Sequence, residues 1–182
     1  MTILTIGHSN RPWQEFLALL QANGVGRLVD LRTVPRSRHN PQFNGEAMPA
    51  ALRGAGIAYA HLPALGGLRH ARADSANTGW RNLSFRGFAD YMQTPAFAAG
   101  LDQLLALAAR PKRRAAPCTA IMCAEAVPWR CHRSLIADAL LARGIGVEHI
   151  IGRGARRAAS LTPFAQVEAE QVTYPDAAAG GG

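Results

Sequence analysis

The sequence predicts an α/β domain of three layers, a mainly parallel sheet of about five strands with helices on both faces. Three observations lead there. Short apolar runs bounded by turn residues alternate with helix-length segments, the order that parallel strands joined by crossover helices require. The strand runs are apolar throughout rather than alternating, as expected of strands covered on both faces. A chain of 182 residues, 48% hydrophobic and 18% charged, can bury one sizeable core. Residues 1–175 are expected to form that single domain, and residues 176–182, alanine- and glycine-rich, a disordered tail.

The first strand covers residues 3–6 and ends at Gly7-His8-Ser9-Asn10. Ser9 or Asn10 can cap the following helix, with Pro12 near its first turn and Phe16, Leu17, Leu19 and Leu20 on its apolar side. Asn23-Gly24 stops that helix, and residues 28–32, Leu-Val-Asp-Leu-Arg, make a second strand. Residues 33–41 hold too much proline and too many polar groups to be regular. A helix over 46–53 ends at Gly54 or Gly56, and a third strand over 57–62 leads into Leu65-Gly66-Gly67. Residues 68–84 read as a long loop, functional or partly mobile. Helices over 85–93 and 95–109 break at Thr94-Pro95. Residues 119–123 form the central strand, 131–143 a helix, 146–151 the last strand, and 163–171 a helix on an outer face.

The formal charge of +8 and the pI near 10.6 come almost wholly from arginine, since Lys112 is the one lysine. Such a balance favours a polyanionic partner: nucleic acid or an anionic small molecule. The plainer explanation is an arginine- and alanine-rich composition with solvated side chains. The longest basic run, residues 110–114, reads as a loop. Three cysteines are too few for a disulfide framework and suit reduced thiols in a cytoplasm. No apolar run approaches the roughly 20 residues of a membrane span. The N-terminus lacks a basic leader and reads as a strand rather than a signal peptide.

The chemistry concentrates after the central strand. Cys123, Glu125, Arg130, Cys131, His132 and Arg133 fall within eleven residues on a loop leading into a helix. Loops of this kind lie at the carboxyl end of a sheet, where ligands bind. Cys123 is either a small core residue or a thiolate nucleophile, its pKa lowered by the arginines and the helix N-terminus. Cys131 near the helix start shares that advantage. Glu125 can act as general acid or base, or hold Arg133 in a bidentate pair. His132 and Arg133 on the first helical turn suit capture of a phosphate or carboxylate. Two thiols, an imidazole and a carboxylate can also take zinc, although the Cys123-x7-Cys131 spacing is wider than in compact structural zinc sites, and no cofactor is expected.

Other predicted strand ends add polar groups. His8 is a candidate acid or base, or a buried structural residue. Asp30 and Arg32 share one strand face and can clamp each other or a ligand. Arg32, Arg36 and Arg38 with Ser37 form a candidate anion rim, or a solvated loop. Gly7-His8-Ser9, Asp30-Leu31-Arg32, Leu65-Gly66-Gly67 and Cys123-Ala124-Glu125 are expected to converge on one cleft.

These blocks, with Thr5-Ile6-Gly7-His8-Ser9, Val29 through Pro35, Phe88-Ala89-Asp90-Tyr91-Met92 and Cys131-His132-Arg133, resemble the bacterial domain of unknown function 488 family across residues 2–151. Leu31 stands where that pattern has valine and Phe88 where tyrosine is frequent; neither change removes a polar candidate. The resemblance implies a map of the site rather than a reaction: Cys123, Glu125 and His8 catalytic, with Asp30, Arg32, Ser37, Arg38, Gly66, Gly67, Tyr91, Cys131, His132 and Arg133 binding substrate. The layout is also similar to that of rhodanese sulfurtransferases. The ten-residue separation of Cys123 from Arg133-Ser134 and the presence of Glu125 depart from their short anion cradle, so that analogy concerns fold.

Three functions follow as expectations. The first is an enzyme acting on a phosphorylated or nucleotide-type anion. The second is a nucleic-acid-binding module whose arginines neutralise phosphates while Trp80, Trp129 or Tyr91 stack bases. The third is a rhodanese-like sulfurtransferase or thiol redox protein using Cys123 and Cys131.

Overall fold

The computed structural model describes residues 1–109 and 117–176. The basic run 110–114 and residues 177–182 of the expected tail lie outside the described residues. Five parallel strands form the sheet: β1 (Thr2–Gly7), β2 (Val25–Asp30), β3 (Ala58–His61), β4 (Cys118–Cys123) and β5 (Gly146–Ile150). A sixth, β6 (Arg157–Ala158), pairs antiparallel with β5 at one edge, giving the order β3-β2-β4-β1-β5-β6. Two residues are too short to leave a periodic signal, so the sequence predicts five strands.

The helices divide between the faces as the apolar residues of each strand do. Leu4 and Ile6 of β1, Leu28 of β2, and Ala120 and Met122 of β4 pack with Phe16 and Leu20 of α1 (Trp13–Ala22) and Leu52 of α2 (Met48–Gly54). Ile3, Val29 and Ile121 turn to the opposite side. There they meet Phe88 of α3 (Leu83–Tyr91), Leu101 and Leu104 of α4 (Pro95–Ala108), and Leu135 and Leu140 of α5 (Arg133–Ala142). Successive strand residues point to opposite faces, so one continuous apolar run supplies both cores. No helix among the described residues is long and apolar enough to cross a membrane.

β1 and β4 lie side by side, with Gly7 opposite Cys123. From β1 the chain crosses by α1 toward the β3 edge, whereas from β4 it crosses by α5 on the other face to β5. The two connections part at this point and leave a crevice outside the carboxyl ends of the strands.

Local chemistry corrects several expected elements. Neither Ser9 nor Asn10 caps α1: Pro12 holds that position with no side-chain cap. Instead Ser9 adopts φ 51° in a turn closed by the Arg11 amide on the His8 carbonyl, and its hydroxyl bonds Asn10. α3 begins two residues earlier than expected because the Asn82 side chain accepts from the amides of Ser84 and Phe85. The helix expected over 163–171 is a hairpin, β7 (Gln166–Glu168) against β8 (Gln171–Thr173). Val167 and Val172 face each other across a turn at Ala169, whose φ is 54°, and Val172 is buried. The pattern there has a period of two, not 3.6. Beyond the hairpin Tyr174 is fully buried, its hydroxyl donating to Asp138 of α5 at 2.8 Å and its amide donating to Asn77 at 2.9 Å.

Candidate functional site

Cys123 ends β4 with its side chain buried. The chain then loops out, makes a single 3₁₀ turn at Pro128–Arg130, and returns with Cys131 two residues before α5. This loop lies directly on the end of β1. Any side chain at Gly7 would overlap the Glu125 carbonyl and crowd the Arg133 guanidinium, so the close approach requires glycine.

Arg133 is 0% exposed. Its Nη2 donates to the Glu125 backbone carbonyl at 2.6 Å and its Nη1 to the Thr5 hydroxyl at 3.4 Å, while Nε has no partner. The expected bidentate pair with the Glu125 carboxylate does not form; the backbone oxygen of that residue takes the bond. Among the described residues no carboxylate lies within ion-pair distance of Arg133. Burying a guanidinium without a counter-charge is costly, and the groups beside it able to supply one are the two sulfurs.

Those sulfurs are not equivalent. Burial disfavours charge on Cys131. That effect is outweighed by a hydrogen bond from the Cys123 thiol, another from His132, and the electrostatic influence of His132 and Arg133. The Arg133 amide approaches Cys131 Sγ at 3.5 Å and His132 Nδ1 at 3.6 Å, so the sulfur sits on the first exposed N–H of α5. Its pKa falls well below that of a free thiol. The Cys123 pKa moves well up, because its proton is shared with Cys131 and the site is buried. These contacts favour negative charge on Cys131 and the proton on Cys123.

His132 is held from both sides. Phe88 packs against the ring at a centroid distance of 4.9 Å, and Gly67 lies so close that a methyl group there would strike the imidazole. A thiolate only accepts, so Nδ1 carries the proton toward Cys131, and Nε2 is buried with no partner. The two sulfurs and one ring nitrogen of His132 lie within 4.8 Å of one another. That donor set can hold a soft cation such as zinc. The guanidinium of Arg133 beside both sulfurs opposes a second positive charge there.

The facing wall rests on Asp30 and Arg32. Arg32 is 8% exposed and Asp30 0%; Nε and Nη2 of Arg32 donate to the carboxylate at 2.9 and 2.6 Å. Nη2 also donates to the Phe43 carbonyl at 2.6 Å, and Tyr59 donates to Asp30 at 2.9 Å. The remaining nitrogen, Nη1, lies 3.3 Å from His8 Nε2. His8 Nδ1 donates to the Ser9 carbonyl at 2.7 Å, which leaves Nε2 as acceptor for Arg32, and the ring stacks on Phe43 at 4.4 Å. Burial lowers the His8 pKa to about 4, with the Arg32 charge acting the same way against the hydrogen bond to Ser9. His8 is thus a neutral imidazole that positions Arg32.

Between the walls lies a cavity of about 810 Å³. It brings together His8, Arg32, Ser37, Gly67, Cys123, Glu125, Cys131 and His132 of the sequence candidates. Asp30 and Arg133 stand behind the lining. Gly66 abuts Thr33, and Tyr91 lies off the cavity, donating to the Ala64 carbonyl with Arg69 stacked 3.6 Å over its ring. Arg38 is exposed and outside the lining. The Glu125 carboxylate stands exposed at the mouth, without a hydrogen bond or ion pair among the described residues. The sequence reading did not name Asn40, Ser84, Phe85 or Arg130 as binding residues, yet all four line the cavity. The cap at Asn82 is the signal that places Ser84 and Phe85 on the first turn of α3.

A family model described as Domain of unknown function DUF488 matches residues 12–140, within the span over which the resemblance was expected. No curated protein and no solved structure matches the chain.

Proposed function

The chain belongs to the DUF488 family, whose description names no reaction, and from its geometry we propose an enzyme that uses Cys131 as nucleophile on a small anionic substrate, phosphorylated or nucleotide-type. The observation that carries this reading is Arg133, fully buried, unpaired by any described carboxylate and set against two sulfurs that open into a cavity. A structural arginine at 0% exposure ordinarily has a carboxylate; this one stabilises a thiolate and, during reaction, the negative charge brought by a substrate. Arg32 and Arg130 face the cavity as anion contacts, and Ser37, Asn40 and Ser84 supply hydrogen-bonding groups around it. Glu125, exposed at the mouth, is the acid or base that exchanges a proton with the leaving group in this reading. Three reduced cysteines fit a reducing compartment such as the cytoplasm.

Alkylation tests the reading. Free thiols react faster with neutral iodoacetamide than with anionic iodoacetate. In this cavity Cys131 is expected to prefer iodoacetate, and inorganic phosphate or a nucleotide should slow the labelling. A free-thiol preference at Cys131, or labelling no faster than at Cys118, overturns it.

One observation favours a second reading, nucleic-acid binding. Arg130 lines the cavity, and its neighbour Trp129 is 55% exposed with Arg157 5.6 Å above the ring. Arg38 and Arg81 flank lining segments without a carboxylate partner among the described residues. Such a rim can hold a polyanion beside a stacked base. Binding of single-stranded RNA that weakens steeply with salt would support this; binding that is absent at low salt excludes it.

A further inference from the structure

We infer that this site is a two-thiol centre for small anionic disulfides, in which Cys131 opens the substrate and Cys123 resolves the adduct. The inference rests on the nucleophile assignment above and adds a substrate class and a second step. Both sulfurs line the same cavity, lie with His132 Nδ1 or Nε2 within 4.8 Å of one another, and share Arg133 beneath them. The third cysteine, Cys118, stands at the opposite end of β4.

The electrostatics order the two steps. In the resting site the charge on Cys131 keeps the proton on Cys123. A lone pair of the Cys131 thiolate attacks one sulfur of R–S–S–R; the S–S bond breaks, RS⁻ leaves, and Cys131 carries a mixed disulfide. Loss of charge on Cys131 removes the principal cause holding the Cys123 proton. Arg133 and the Glu125 amide, both of which favour a thiolate on Cys123, then act unopposed except by burial. Cys123 attacks Cys131 Sγ, the bond to the substrate sulfur breaks, and the second fragment leaves as RSH with the proton that Cys123 gave up. Overall one thiolate and one thiol of the protein become the Cys123–Cys131 disulfide, while the substrate gains two electrons and departs as RS⁻ and RSH. Arg32, Arg36 and Arg130 around the cavity select carboxylate-bearing disulfides over neutral ones.

The probe is 5,5′-dithiobis(2-nitrobenzoate), an anionic aromatic disulfide, reacted with the reduced full chain and followed by peptide mapping. The wild type should release two nitrothiobenzoates from the pair, with Cys123 linked to Cys131 and no adduct retained there. Cys123→Ser should hold the adduct on Cys131, and Cys131→Ser should react at least tenfold more slowly at the remaining thiol. A stable adduct on Cys131 beside a free Cys123 in the wild type overturns the resolving role and leaves the nucleophile standing. No reaction at either residue faster than at Cys118 overturns both. The wild-type map decides even where a variant fails to fold.

Discussion

The guanidinium of Arg133 donates to the backbone carbonyl of Glu125 at 2.6 Å and leaves that residue's carboxylate exposed at the cavity mouth. One charge-assisted bond thereby fixes the loop between the thiols without neutralising the charge that supports them. The carboxylate remains available to solvent and substrate.

Removing that charge should raise the pKa of the reactive thiol. In Arg133→Met the pH profile of Cys131 alkylation is expected to move up by about 1–3 units, the range that one close opposite charge produces. An unchanged profile in a folded variant would show that Arg133 is a packing residue.

Gly67→Ala drives a methyl group into the His132 imidazole. The expected cost is roughly 1–3 kcal/mol from overpacking, together with slower alkylation of Cys131 as the Nδ1 contact opens. Thermal unfolding and labelling rate, measured on the same sample, separate the two effects.

Asp30→Ala leaves the Arg32 guanidinium buried beside His8 and Phe43 without its carboxylate. A loss of about 3–5 kcal/mol follows from breaking a buried pair on one side. Tyr59→Phe, which removes a single hydrogen bond to the same carboxylate, should cost less, about 1.5 kcal/mol. Urea denaturation of the two variants checks the order.

Acid should destabilise the fold through two buried histidines. His8 and His149 have their pKa values lowered from 6.5 to about 4, mainly by burial, with Arg32 and Arg133 respectively adding repulsion. Between those values the unfolded chain binds protons that the folded chain refuses, so stability rises with pH. It is present in full above about 6.5 and is lost as pH falls toward about 4. A melting temperature flat over that window, or one that recovers in acid, contradicts the assignment of both rings as neutral.

Leu140→Ala addresses the core alone. Leu140 is fully buried in α5, away from the cavity, and its truncation should cost about 2–5 kcal/mol. The alkylation rate of the folded fraction should be unchanged.

The sheet was legible because every central strand is an apolar run, and the crevice because three of the four predicted strand ends carry polar residues. Asp30 with Arg32 follows directly from their spacing on one strand. The division of labour between Cys123 and Cys131 does not. It depends on which sulfur receives the α5 amide and the His132 imidazole, and both thiols follow or precede secondary structure in ways that favour charge. The partner of Arg133 was equally hidden, since a carbonyl on a loop has no sequence signature, whereas Glu125 offers an obvious carboxylate. Tyr91 entered as a ligand contact through the family resemblance; its hydroxyl donates to the Ala64 carbonyl.

The tail of the chain bears on the chemistry although the family match stops at residue 140. Tyr174 reaches back to Asp138 on α5 and to Asn77 on the long loop, like a brace between a beam and its neighbour. Because that beam starts two residues after Cys131, trimming the polypeptide after the matched region is expected to shift the Cys131 sulfur without deleting one residue of the cavity wall.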